Sequence, residues 1–219
     1  MDNFSNDYHD YVFKNGKFLG NFEGMYRHST DIPWHQDKTS YSVFSDIDLA
    51  ILRQYRYNSI CEVGCGLGFF TNRLAQELGS EGNIVRVTGI DISPTAVAKA
   101  RTLFPHQNFV TGDLTCERPL PGEQFDLVVI KELLWYICHK LTDFMKNIMD
   151  MIRGDGFLYV SQSFPEEDQW VFQDVIDNPE KLKEIFCEFV KPVHYCVEWD
   201  WNYNGRPLVH LLGKYKGNR

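Results

Sequence analysis

Short apolar runs alternate with amphipathic stretches along the middle of this chain. Ile60–Val63, Ile84–Ile90, Phe109–Val110, Phe125–Ile130 and Gly156–Gln162 each read as a buried strand bounded by turn residues. Between them, Thr71–Leu78 and Thr95–Phe104 carry apolar residues at helical spacing. Ser93 precedes Pro94, a cap and a first-turn proline, so the second helix has a defined start. A further helix is expected to end near Arg153, with Gly154 and Gly156 as its stop and turn. Strands alternating with helices predict an α/β fold with a parallel sheet.

The two ends follow other patterns. Residues 21–38 are dense in aromatic and ionisable groups, without clear helical or strand periodicity for most of their length, as in a lid or binding loop. Phe44–Tyr55 then reads as a helix with Phe44, Ile47, Ile51 and Leu52 on one side. Val193–Trp201 alternates and faces Pro207–Leu212 across a segment containing Asn204-Gly205, a strong hairpin signal. His194 and His210 lie in these strands and are expected to pack. The expected organisation is an N-terminal lid and helix over 1–58 and a cofactor-binding domain over 59–219.

The chemistry concentrates after the first strand, at Glu62-Val63-Gly64-Cys65-Gly66-Leu67-Gly68-Phe69. Glycines there let backbone approach a flat polar ligand closely. A nicotinamide-dinucleotide site favours Gly-x-Gly-x-x-Gly with a pyrophosphate on the following helix. Here the third glycine comes one position early, Phe69 stands in its place, and Glu62 would repel phosphate. Asp91, ending the second apolar run, is placed to take ribose hydroxyls in either kind of site.

Glu62-x-Gly64-x-Gly66-x-Gly68, Asp91, Gly112-Asp113-Leu114 and the strand opening Phe125-Asp126 resemble, in order and spacing, the motifs of class I S-adenosylmethionine (SAM)-dependent methyltransferases. The resemblance implies a Rossmann-like fold, with a seven-stranded, mostly parallel sheet, a C-terminal antiparallel hairpin and helices on both faces. It implies SAM as cofactor, surrounded by Glu62, Gly64, Cys65, Gly66, Gly68, Asp91, Ile92, Asp113, Leu114 and Lys131. Tyr26 and Trp34 of the N-terminal segment would cover it. Phe22-Glu23-x-Met25-Tyr26, followed by Asp31-x-Pro33-Trp34-His35-Gln36, is similar to methyltransferases of the nodulation type, which N-methylate the glucosamine end of a chitooligosaccharide, and to relatives of sugar and polysaccharide biosynthesis. Position 32 is Ile where that family leads one to expect an acid. A NAD-dependent oxidoreductase and a SAM-binding subunit without catalysis are the competing readings.

Composition narrows the acceptor. A net charge of −8 disfavours a polyanionic partner such as nucleic acid. The Asn/Asp-Pro-Pro-aromatic motif of nucleic-acid amino-methyltransferases is replaced by Ile130-Lys131-Glu132-Leu133. A small polar acceptor is expected: a sugar or sugar-linked precursor, with other carboxylates, phosphates or amines as the alternative. No apolar run reaches the ~20 residues of a membrane span, and Met1–Asp7 does not resemble a signal peptide, so a cytoplasmic location is expected. Six cysteines without Cys-x-x-Cys pairs read as reduced thiols, and no metal site is expected. Oligomeric state is not legible.

Methyl transfer to a hydroxyl calls for a general base, whereas a neutral amine or a carboxylate needs none. His35, His28 and Glu132 are the candidates, His35 first, with His139 behind them. Trp135 and Tyr136 would wall the same pocket. Phe69, Phe70 and Asp126 are expected to be structural, and Arg27 and Lys38 either meet an anionic group or are solvated.

Overall fold

The computed structural model describes residues 5, 7–79, 84–164, 175–200 and 205–217. Trp201 and the turn at Asn202–Asn204, singled out above, lie outside the described residues. The N-terminal segment forms α1 (His9–Val12), the strand pair β1 (Phe13–Lys14) and β2 (Lys17–Phe18), and α2 (Phe22–His28). A 3₁₀ turn (Pro33–His35), α3 (Gln36–Thr39) and α4 (Val43–Leu52) follow. Next come β3 (Ser59–Val63), α5 (Phe69–Leu78), β4 (Arg86–Asp91), α6 (Pro94–Leu103), β5 (Asn108–Thr111) and β6 (Phe125–Lys131). The chain ends through α7 (Leu134–Ile137), α8 (Leu141–Met151), β7 (Ile152–Ser163), α9 (Pro179–Phe189), β8 (Val190–Asp200) and β9 (Arg206–Tyr215).

The sheet has seven strands in the order β5-β4-β3-β6-β7-β9-β8. Neighbours from β5 to β7 are parallel, and β9 runs antiparallel to both β7 and β8. This is the architecture the motif ladder implied. β3 is buried along its whole length, as a central parallel strand with helices on both faces must be. Leu49 and Leu52 of α4 and Phe70 and Leu74 of α5 pack with Ile60, Val87 and Val129 on one face. On the other, α8 and α9 bury Phe144, Ile148 and Phe186 against Val128, Leu158 and Leu211. The strand order reverses about β3, and ligands of open α/β sheets bind at such a switch point, beyond the carboxyl ends of the strands.

Three expectations need correction. Residues 21–38 are not irregular throughout: α2 forms because the Asn21 side chain caps Gly24 N at 2.9 Å and Glu23 pairs with Arg27 at 2.7 Å. Phe22, Met25 and Tyr26 then share one side of the helix, a three-to-four spacing hidden among the polar residues. The second strand starts at Arg86, and Ile84 is 95% exposed. Gly154 and Gly156 do not close a helix. α8 ends at Met151, and the extended Ile152 leads straight into β7. Gly156 is there for closeness: a Cβ would come within 3.0 Å of the Asp126 carbonyl. Asn15-Gly16, with φ of 52° and 73°, turns the β1–β2 pair as a two-residue hairpin loop requires.

Candidate active site

The loop after β3 carries left-handed backbone at Gly64, Gly66 and Gly68 (φ 76°, 54° and 79°). A side chain at Gly64 would meet Leu133 at 2.8 Å, and one at Gly66 would meet Gln36 and the Tyr26 hydroxyl. These glycines thus let the segments after β6 and before α3 close onto the loop.

The loop's amides are all committed. Gly64 and Cys65 donate to the Ile90 carbonyl at 2.8 and 3.0 Å, and Gly68 to Cys65 at 2.9 Å. Gly66 donates to Oδ2 of Asp91 at 2.8 Å, and Leu67 to Oε1 of Gln36 at 2.9 Å. A pyrophosphate would find no free donor in this loop, and two buried carboxylates beside it. Burial pushes Glu62 up to about 7, against a hydrogen bond from Thr71. Burial likewise raises Asp91 to about 6, although Ser93 N and Gly66 N both donate to it. These carboxylate acceptors suit hydroxyls and an ammonium rather than phosphate, as SAM requires.

A cavity of about 1350 Å³ opens over this loop. Its lining includes Glu62, Gly64, Cys65, Asp91, Ile92, Asp113, Leu114, Lys131, Glu132, Tyr26, Trp34 and His35. Gly66 and Gly68 are not among the lining residues. A single ligand usually takes ~300–1,000 Å³, so this space admits a cofactor and an acceptor together. Asp113 accepts from Thr115 N and Oγ1 at 2.9 and 2.6 Å, which makes it a turn-former as well as a lining carboxylate.

Much of the remaining lining is aromatic. Tyr136 stands among Phe13, Phe18, Phe22 and Trp34, at ring distances of 5.2–6.3 Å. Tyr26 and Tyr8 flank Trp34. Trp34, His35 and Glu132 all hold positive φ (53°, 49° and 52°). Strained non-glycine backbone gathered on one cavity is the kind of outlier that marks a functional wall.

His35 lines the cavity, whereas His28 does not and stacks on Tyr11 at 6.1 Å. Glu132 is a held carboxylate: Oε1 accepts from Ser163 N at 2.9 Å, and Oε2 from Ser163 Oγ at 2.7 Å and Gln162 Nε2 at 3.2 Å. Asp126 receives Asn58 N and Ser59 N and pairs with Arg153. Phe70 is buried and Phe69 packs on Phe104 at 5.3 Å, while both also reach the cavity. Arg27 pairs with Glu23, and neither Arg27 nor Lys38 lines the cavity. The cysteines are free thiols. Among the described residues no cluster could hold a metal ion, and no helix is long and apolar enough to cross a membrane.

The sequence motifs contain Glu23 and Gln36 without indicating what they contact, and no motif marks Asp48. Glu23 accepts from Ser93 Oγ at 2.6 Å, Thr95 N at 3.1 Å and Thr95 Oγ1 at 2.7 Å, tying α2 to the start of α6. Asp48, fully buried on α4, pairs with Lys131 at 2.5 Å. A carboxylate on the apolar side of an otherwise amphipathic helix was the available signal for Asp48.

Comparison with known proteins agrees with this geometry. Residues 61–160 match the family described as "Methyltransferase domain". Nodulation protein S of Bradyrhizobium diazoefficiens is 30% identical over 139 residues, 59% of this chain and 62% of that protein. Trans-aconitate 2-methyltransferase of Escherichia coli is 26% identical over 158 residues, 70% of this chain and 50% of that protein. The chain thus spans less than two thirds of the length of these curated relatives. Among solved structures, the N-methyltransferase NodS of Bradyrhizobium japonicum in complex with S-adenosyl-L-homocysteine superposes with a TM-score of 0.67 at 21% identity. That match covers 85% of this chain and 93% of NodS, a likeness of fold.

Proposed function

We propose that this chain, whose residues 61–160 match the family described as "Methyltransferase domain", is a SAM-dependent methyltransferase that methylates an O or N atom of a small polar acceptor, a sugar or sugar-linked precursor. The observation that carries the reading is the two-part cavity. One part of its lining is glycine loop and carboxylates, and another is a basket of aromatic rings around Tyr136. Flat aromatic faces suit the apolar face of a pyranose ring, and the glucosamine chemistry of the nodulation relatives is of the same class.

SAM, when bound, supplies an electrophilic methyl group on a sulfonium. The chain's own residues do the rest. Asp91 and Glu62 hold hydroxyl and ammonium groups, and residues 1–58 act as a lid whose Tyr26, Trp34 and Gln36 close over the glycine loop. The aromatic basket excludes water and fixes the acceptor in line, and positioning of this kind supplies much of the rate. Glu132, oriented by Ser163 and Gln162, holds the acceptor. His35 on the strained turn takes the proton when the acceptor is a hydroxyl, and for a neutral amine it is dispensable.

A second reading, a small carboxylate acceptor, draws support from Lys140 and Arg206 in the cavity wall. Incubation with methyl-labelled SAM and a panel of amino sugars, nucleotide sugars and small di- and tricarboxylates separates the two. Label transferred to an amino sugar or nucleotide sugar supports the proposal. Label transferred only to carboxylates overturns the sugar assignment.

A further inference from the structure

Lys131 ends β6 with its side chain only 16% exposed, in the wall of the cavity. An ammonium carries three donors, and one hydrogen bond is seen, to Oδ2 of Asp48 at 2.5 Å. The Lys131 ammonium also stands 5.2 Å from the ring of Phe70 in the first turn of α5, directly after the glycine loop. Among the described residues its hydrogen bond is to Asp48 alone, so donors remain on the cavity side for a ligand to meet.

Asp48 keeps this cation in place. Its other oxygen receives the Tyr159 hydroxyl at 2.7 Å and Nδ1 of His210 at 2.8 Å. Asp48, Tyr159 and His210 are all fully buried. Since a carboxylate can only accept, Nδ1 carries the proton of His210. With these donors around it, Asp48 stays ionised: burial raises its pKa, but Lys131 and His210 together bring it well below the usual carboxylate range. Burial lowers Lys131, and Asp48 and Glu132 more than reverse that, so the ammonium stays charged.

Glu62 and Lys131 share one face of the sheet. Glu62 pairs with Val129 across β3 and β6, and Lys131 lies two residues beyond Val129, so both side chains emerge on the same side. A carboxylate and an ammonium side by side at the head of the glycine loop complement the ammonium and carboxylate of an α-amino acid.

We propose that Lys131 binds the carboxylate of the cofactor's amino-acid end, opposite Glu62, and that Asp48, braced by Tyr159 and His210, is the positioning residue that aims it. This rests on SAM being the cofactor. A purely structural ion pair, stapling α4 to the sheet, would not distinguish ligands that share the nucleoside and differ in the amino acid.

Calorimetric titration of the full chain with S-adenosylhomocysteine and with 5′-methylthioadenosine, which lacks the amino-acid end, makes that distinction. Lys131→Met and Lys131→Gln are expected to weaken S-adenosylhomocysteine by roughly 10–100-fold, as loss of a charge-assisted bond implies. Both should leave 5′-methylthioadenosine within about threefold, taking the ~0.5 kcal/mol scatter of indirect effects as the limit. Asp48→Asn should shift the same preference in the same direction by less, and Lys131→Arg should restore most of it. Equal weakening of both ligands, or unchanged S-adenosylhomocysteine affinity in a folded Lys131 variant, overturns the proposal. Failure of the unmutated protein to bind either ligand instead overturns the cofactor reading on which it rests.

Discussion

The Gly66 amide donates to Oδ2 of Asp91 at 2.8 Å, joining the loop after β3 to the carboxylate that ends β4. The other oxygen of Asp91 takes Ser93 N at 2.9 Å, at the start of α6. One side chain therefore sets both the shape of the glycine loop and the entry of the next helix. Asp91→Ala should weaken S-adenosylhomocysteine binding by about 1.5–3 kcal/mol, the worth of bonds to a charged acceptor. Unchanged affinity by calorimetry would remove Asp91 from the site.

Gly68 and Gly122 both have positive φ (79° and 85°), but their surroundings differ. A Cβ on Gly68 would lie 2.5 Å from the buried Phe109 ring, and one on Gly122 would meet nothing within 4 Å. Both alanine variants carry backbone strain of about 1 kcal/mol or more. Gly68→Ala should lose a further ~1–3 kcal/mol through overpacking. Urea denaturation giving equal losses would contradict the packing described for the loop.

Glu62 gives stability a pH dependence of known sign. Its folded pKa, pushed up mainly by burial to about 7, exceeds the ordinary value of 4.5. The native state therefore holds its proton more tightly than the unfolded chain. The resulting stabilisation is present in acid and is lost as pH rises from about 5 through 7. Glu62→Gln keeps an acceptor for Thr71 without the charge. Its stability relative to the parent should rise between pH 5 and pH 8 by a few kcal/mol, since each tenfold difference in proton affinity between the folded and unfolded chain is worth ~1.36 kcal/mol. A difference in melting temperature independent of pH would refute this.

Glu23 fastens the N-terminal segment to α6. Burial works against its charge, but the Ser93 and Thr95 donors prevail and hold it down at about 2. Glu23→Ala should raise amide exchange in α2 and in the 3₁₀ turn at Pro33–His35, while β3 and β6 stay protected. Uniformly faster exchange would mean that Glu23 supports the whole fold and not the lid.

His35 is tested by turnover. With an oxygen acceptor, His35→Ala should lower kcat by ~10²–10⁴ and leave S-adenosylhomocysteine affinity nearly unchanged. Normal kcat would remove His35 as a base and favour a neutral amine acceptor.

The glycine loop and the carboxylates beside it were legible in the sequence because their demands are local. Gly64, Gly66 and Gly68 have left-handed backbone, Asp91 ends β4 and Asp113 follows β5 closely, so the spacing carries the information. The acceptor half was not, because it is assembled from distant pieces. Phe13, Phe18, Phe22, Trp34 and Tyr136 meet only after the N-terminal segment folds back across the sheet. Gln36 reaches Leu67 across thirty-one residues, and Asp48 reaches His210 across one hundred and sixty-two. The place of Asp48 on the apolar side of α4 is visible in the sequence, but its ionic partners appear only with the strand order. Gly156 misled for a related reason: the close approach of Asp126 across a strand pair required glycine, not a turn, whereas a Cβ on Gly154 would meet nothing within 4 Å.

The central claim is that the glycine loop holds SAM and not a dinucleotide, and calorimetric titration of the purified protein with S-adenosylhomocysteine, with NAD in parallel, tests it most directly. Micromolar binding of S-adenosylhomocysteine and no heat from NAD is the predicted result. Binding of NAD alone would contradict it, since the committed amides of Gly64 to Gly68 would then have to give way to a pyrophosphate.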